Sequence, residues 1–436
     1  MEIQRLKLLA PDRLRQILQR SRADVFDAER VGHVRAIVED VRRRGDGAIV
    51  EYTQRYDGVA LSADRIQVDR DEVRRAHDTV SDGLRAALAA SIERARRYNE
   101  WLRPTALQLE ETEAGLTVGV KYGPVESVGV YIPSGKGAFP STLITLVTPA
   151  IVAGVGEIAV LLPPRRDGSA DPAVLVAADL LGVSQVYRAN GVAGIAALAF
   201  GTGTIPRVEL LGGPGNPYVT AAQIAVQAYG VRLLSVLGPT ESMILADDSA
   251  DPDRLALDVL NEAEHGADSA AILITTSEAL AAEVNERLPR YLELLPAQRR
   301  EFAESALSRY GGGLVADTLE EAVSFVNLYA PEHLQIATRD PYATVAQIRN
   351  AGEILIGQDT PFSAGNYAIG VPAALPTSGF ARVASGVTVL TYLKTTSLAS
   401  LSPEGLTRLR PVIEYLGRYE DFPAHVLAVE ARKGSV

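Results

Sequence analysis

Glu332 and His333 stand side by side in the stretch Tyr329-Ala330-Pro331-Glu332-His333-Leu334, and the chain has only five histidines in 436 residues. An imidazole titrates near neutrality, and a carboxylate beside it can act as a second proton acceptor in the same pocket. Two acceptors in one place suit a reaction that removes protons more than once. The same residues also suit a structural role, with Pro331 opening a helix and Glu332 facing the positive end of its dipole. A second pair lies in Asn261-Glu262-Ala263-Glu264-His265-Gly266. Residues three apart share a helix face, so Glu262 and His265 can reach one ion while Glu264 points elsewhere. The alternative is a helix C-terminus where His265 complements the dipole and Gly266 ends the helix. The Gly-rich stretches Pro133 to Gly137 and Gly212-Gly213-Pro214-Gly215-Asn216 let backbone approach a cofactor, or simply make tight turns. Neither is the G-x-G-x-x-G fingerprint with a ribose-binding acid downstream.

Composition narrows the field. A length of 436 residues predicts two or more domains, and 47% hydrophobic with 22% charged residues describes a folded, soluble chain. No run of eighteen apolar residues occurs and the N-terminus mixes charge with leucine, which predicts a cytoplasmic protein without a membrane span or signal peptide. With no cysteine, disulfides, thiolate metal sites and thiol nucleophiles are excluded, so any metal must be held by His, carboxylate or amide groups. A net charge of -11 with acids and bases interspersed argues against nucleic acid and against a membrane-surface anchor.

The elements that must position these residues follow from hydrophobic period. Pro11 to about Arg103 reads as helical, with His33 and His77 on solvated faces. From Val128 onward, strands near Val128–Pro133, Glu157–Leu162 and Gln185–Arg188 alternate with helices near 143–153 and 172–181. A second unit reads as strands near Leu233–Leu237, Ser242–Ala246 and Ala270–Thr275, then a helical Glu278–Tyr310, a strand, a helix at Leu319–Leu328 and a strand at Gly352–Ile356. Strand alternating with helix predicts an α/β fold with parallel sheets covered on both faces, and ligands at the carboxyl ends of the strands. Pro403 to Ala431 reads as helices carrying Glu420 and His425.

In this order the motifs Val128-Gly129-Val130-Tyr131-Ile132-Pro133, Ile195 to Thr202, Gly213-Pro214-Gly215-Asn216, Gly238-Pro239-Thr240-Glu241, Ala263-Glu264-His265-Gly266, Ala330-Pro331-Glu332-His333-Leu334 and Leu375-Pro376-Thr377-Ser378-Gly379 resemble the histidinol dehydrogenase family across almost the whole chain. The resemblance implies NAD- and zinc-dependent oxidation of a primary alcohol, twice, through an enzyme-held aldehyde to a carboxylate. It implies two incomplete Rossmann-like domains with small helical terminal segments, placed here at 1–126 (helical), 127–236 (NAD side), 237–380 (catalytic pair) and 381–436 (helical). It also implies a homodimer in which the C-terminal segment completes the partner's site.

By the same resemblance, His333 is the base for the hydroxyl proton and Glu332 activates the water that attacks the aldehyde. The zinc ligands fall at Glu262, His265, Asn366 and His425. The family has glutamine where Glu262 stands and aspartate where Asn366 stands, so the two departures leave the summed ligand charge unchanged and an oxygen donor at both places. Tyr131 and Asn216 match NAD-contacting positions, whereas a family glutamine falls at Ala193. On the substrate side Thr240 replaces a serine, Glu420 keeps a carboxylate, and Phe362 and Ala373 stand where the family has a glutamate and a histidine. An ammonium group buried without its carboxylate is strongly penalised. The expected substrate is therefore a primary alcohol other than histidinol, with histidinol itself and a non-catalytic binding protein as alternatives.

Overall fold

The computed structural model describes residues 1–20, 27–134 and 137–432, so Gly135 and Lys136 of the first Gly-rich stretch lie outside the described residues. The chain forms two compact units, one of Met1–Leu102 with Glu126–Tyr392 and one of Arg103–Val125 with Leu393–Val436. In chain order the strands are β1 (Ile3–Arg5), β2 (Leu107–Glu113), β3 (Leu116–Pro124), β4 (Ser127–Tyr131), β5 (Glu157–Leu162), β6 (Val186–Arg188), β7 (Leu210–Gly212), β8 (Arg232–Leu233), β9 (Glu241–Ala246), β10 (Ala270–Thr275), β11 (Gly312–Val315), β12 (His333–Ala337), β13 (Glu353–Ile356) and β14 (Leu393–Leu401).

The larger unit holds two sheets, ordered β6-β5-β4-β7-β8 and β1-β11-β10-β9-β12-β13. Every pairing in both is parallel. Parallel strands are buried on both faces, which is why β4, β9 and β10 are buried at every residue and read as apolar runs. In the first sheet the chain starts centrally at β4, and in the second, β1 apart, at β9; each then adds two strands on one side and crosses to the other side at β7 or β12. Such a crossing opens a crevice at the sheet edge. Side chains that suit a helix start open the connecting helices. Asp171, Asn216, Asp251, Ser277 and Thr318 each accept backbone N–H bonds there, worth about 1 kcal/mol apiece.

The structure departs from the expected elements in a few places. The apolar run from Leu233 does not open the second sheet, because Arg232–Leu233 pairs with β7 as an edge of the first. Glu278–Tyr310 divides into helices Glu278–Leu292 and Ala297–Arg309 around Pro296, which cannot donate a helical N–H. The terminal segments also carry strands: β1 joins the six-stranded sheet, and the smaller unit is an antiparallel sheet β14-β3-β2 followed by helices Pro403–Tyr419 and Pro423–Glu430. Strand β2 is exposed at every residue, so no inward-outward alternation betrays it. Among the described residues no helix is long and apolar enough to cross a membrane.

Candidate active site

A cleft of about 340 Å³ opens in the larger unit. The first sheet lines it with residues that follow the carboxyl ends of β4 and β7, namely Pro133, Ser134, Pro214, Gly215 and Asn216. The second sheet presents the opposite edge: Thr240, Ser269, Glu332 and His333 lie at or just before the starts of β9, β10 and β12. Ligand binding at the carboxyl ends is therefore the right expectation for the first sheet and the wrong one for the second. The turn into β12 explains the reversal. Helix Leu319–Tyr329 stops at Ala330, held in the left-handed region at φ +54, and Pro331 and Glu332 then lead straight into the strand. The pair is a strand entrance, not a helix start.

Glu332 and His333 are buried, at 6% and 3% exposure. Glu332 Oε2 accepts the backbone N–H of Glu241 at 2.8 Å, and Oε1 lies 3.6 Å from His333 Nε2. On its other side His333 Nδ1 contacts Glu353 Oε1 at 2.5 Å. Behind the pair, Glu241 accepts the Ser378 N–H at 2.8 Å and sits 3.5 Å from Nε of the buried Arg20, whose guanidinium stacks 3.4 Å from the Tyr329 ring centre and donates to the Tyr329 carbonyl. Burial pushes the Glu332 carboxyl up to about 8, with His333 and the Glu241 N–H opposing that rise. Burial alone would lower His333, but the Glu332 and Glu353 carboxylates outweigh it and raise the imidazole to about 10. The two groups titrate as a pair, each favouring the other's charged form.

Glu262, His265 and Asn366 all line the same cleft. Helix Pro252–Ala263 carries Glu262, and His265 follows in its C-terminal turn with Nδ1 3.4 Å from Glu262 Oε2. Asn366 lies in a π-helical turn, Gly365–Ile369, and its Nδ2–H donates to Glu262 Oε1 at 2.7 Å. That turn closes at Gly370, φ +91, where a Cβ would come within 2.5 Å of the Arg94 carbonyl. His265 Nδ1 also lies 3.2 Å from the Asn261 carbonyl, so with that nitrogen donating, Nε2 keeps its lone pair. One carboxylate, one imidazole and one amide oxygen fit a zinc ion. Among the described residues no cluster of three His, Asp or Glu side chains suits a metal, and the set here includes an asparagine in place of a third such group.

On the first-sheet side, the buried Tyr131 donates its hydroxyl to Asn190 Oδ1 at 2.7 Å, and Asn190 Nδ2 donates to Asp57 at 2.5 Å. Tyr131 and Asn190 face the cleft. Asn216 Oδ1 caps helix Pro217–Val226, which leaves its amide N–H for a ligand. Gly213 is required there: a Cβ would lie 2.0 Å from the Tyr131 carbonyl. These residues fit a dinucleotide, though Ala193 is buried in the core and offers no contact.

Thr240 and Ala373 line the cleft. Phe362 does not: it is 0% exposed in the hydrophobic core, with its ring edge-on to His333 at 6.0 Å, which corrects its expected place beside the substrate. Glu420 and His425 belong to the smaller unit, where both are exposed, Glu420 ending helix Pro403–Tyr419 and His425 contacting Phe422 at 5.2 Å. The described residues that line the cleft belong to the larger unit. Sequence reasoning missed Glu353, Glu241, Arg20 and Asn190. An acid at the head of the apolar strand Glu353–Ile356 was a legible signal, since buried charges require a partner.

Comparison with known proteins places these observations. A family model described as histidinol dehydrogenase matches residues 19–433. The chain is 42% identical to a histidinol dehydrogenase of Synechocystis sp., covering 99% of each chain, and 39% identical to a histidinol dehydrogenase homolog of Colwellia psychrerythraea, covering 98% and 96%. The crystal structure of histidinol dehydrogenase from Elizabethkingia anophelis superposes with a TM-score of 0.92 at 34% identity, over 99% of this chain and 97% of that one.

Proposed function

The chain belongs to the histidinol dehydrogenase family of NAD- and zinc-dependent oxidoreductases, and on that premise we propose that it oxidises a primary alcohol through an aldehyde to a carboxylate, using Glu332 and His333 as its two proton acceptors. The observation that carries this reading is the buried Glu332-His333 pair in the same cleft as the donor set Glu262, His265 and Asn366. Glu262, His265 and Asn366 would hold Zn²⁺, which would supply a positive charge beside the substrate oxygen and against protonation of His333, and NAD would supply the hydride acceptor for each oxidation. In the first oxidation His333 takes the hydroxyl proton through Nε2 as the carbon gives up hydride. In the second, Glu332 takes a proton from water as that water adds to the aldehyde carbon, and the hydrate then loses a second hydride.

Tyr131, Asn190 and Asn216 hold the dinucleotide in this reading. The Asp57 carboxylate can only accept, so it fixes the Asn190 amide, and Asn190 in turn fixes the Tyr131 proton away from the ligand. Replacing Asn190 with Ala is expected to weaken NAD binding about fivefold to tenfold, the equivalent of one hydrogen bond of ~1 kcal/mol, with zinc content unchanged. Titration of NAD into the protein by calorimetry checks it.

For the substrate we favour a primary alcohol other than histidinol, because Ala373 puts a methyl group on the cleft wall and Phe362 puts no carboxylate there. Histidinol itself is the second reading, favoured by full-length similarity to enzymes of that name. NADH production from histidinol against a panel of primary alcohols, with rescue of a histidine auxotroph, decides between them. Vigorous turnover of histidinol together with growth of the auxotroph would remove the first reading. We also propose a cytoplasmic homodimer in which His425 and Glu420 of the partner subunit complete each cleft. Supporting it, the smaller unit exposes Tyr415, Tyr419, Phe422 and Leu427, an apolar surface of the kind partners cover.

A further inference from the structure

We propose that Glu353 is the positioning residue for His333: its carboxylate accepts the Nδ1–H, fixes the imidazole in that tautomer, and leaves the Nε2 lone pair on the Glu332 side to receive the substrate proton. This rests on the base role given to His333 above and deepens it. Glu353 opens β13 directly opposite His333 in the parallel register of β12 and β13, with Oε1 2.5 Å from Nδ1. Its backbone N–H donates to the Glu332 carbonyl at 3.0 Å, so one residue ties both members of the pair to the neighbouring strand.

The surroundings of the carboxylate suit the orienting of a ring. At 8% exposure it is shielded from solvent, and among the described residues its Oε2 has no hydrogen-bond partner. The other buried acid behind the pair, Glu241, takes its hydrogen bond from a backbone N–H, that of Ser378. Glu353 instead directs its one bonded oxygen at one imidazole. Room for it comes from Gly365, where a Cβ would lie 3.2 Å from both carboxylate oxygens. The Phe362 ring, at 77° to the imidazole, packs against His333 and resists its rotation. A ring free to exchange tautomers would present a protonated nitrogen to the substrate for part of the time. In the serine-protease triad, exchanging the orienting acid for its amide costs about 10⁴ in kcat for that reason.

The test uses the zinc-loaded enzyme with NAD, in Glu353→Gln and Glu353→Ala forms. The expected result is a fall in kcat of about 10²–10⁴-fold with KM for the alcohol and for NAD little changed and with zinc content and thermal melting retained. A proton resonance far downfield in the ¹H spectrum is expected in the wild type and lost in Glu353→Ala and in His333→Gln. Wild-type kcat in both Glu353 variants, or loss that tracks zinc release, overturns the proposal while leaving the dehydrogenase reading intact. If the wild type reduces NAD with no primary alcohol, the dehydrogenase reading fails, and the downfield resonance still decides: its absence from the wild type shows that Glu353 does not hold the ring.

Discussion

Glu332→Gln is expected to release the first equivalent of NADH from the alcohol at close to the normal rate and then to stall, with oxidation of the added aldehyde slowed by about 10²–10⁴-fold. Glutamine keeps the volume of the side chain, and its carbonyl can still accept the Glu241 N–H that now holds Glu332 Oε2. It cannot take a proton from water. His333 keeps its contact with Glu353 in the variant, so the step that needs only an imidazole is spared. A rapid-mixing trace of NADH absorbance, read with the alcohol and then with the aldehyde, separates the two steps. Equal loss in both would mean that Glu332 serves the fold or the imidazole and does not activate water.

Removing the metal should have the larger effect on total turnover. Chelator-treated protein and the His265→Ala variant are expected to lose stoichiometric zinc by elemental analysis and at least about 10³ in NADH formation, and added Zn²⁺ should restore the former but not the latter. The donor set gives a sharper form of this test. Glu262 is the sole carboxylate among the three donors in the cleft, and it already accepts a hydrogen bond from Asn366. Glu262→Gln alone leaves two amides and an imidazole, too little negative charge for tight binding. Adding Asn366→Asp to it returns the charge and lets the hydrogen bond run in the opposite direction, so the double variant should hold zinc more tightly than Glu262→Gln does. Full zinc in both His265→Ala and Glu262→Gln would show that the ion sits elsewhere.

Much of the larger unit was legible because parallel strands announce themselves. Strands Glu157–Leu162 and Ala270–Thr275 are apolar runs bounded by breakers, and their ends fall where hydrophobic period places them. The Glu262 and His265 pair was legible too, since three-residue spacing and a helix end put both on one side. What could not be read was anything set by distant pairing. Glu353 meets His333 only because β12 and β13 lie side by side in register. Arg20 reaches Glu241 from the far end of the chain, and no local pattern links them. The edge of the sheet that faces the cleft depends on how two sheets are opposed, which no segment of sequence encodes by itself. Phe362 was misplaced for a related reason: the resemblance put it on the substrate side, where the family has a glutamate, and gave no sign that its ring turns into the core against the imidazole.

Strand β1 pairs with β11, Ile3 opposite Gly313, so within the six-stranded sheet it waits longest for a neighbour. At a ribosome adding about 5–20 residues per second, its partner emerges roughly 15–60 s later. Through that interval β1 has no strand of its own sheet to pair with, and the segment must be kept from pairing with other chains; newly translated protein should accordingly be most prone to self-association through β1 before residue 315 leaves the exit tunnel.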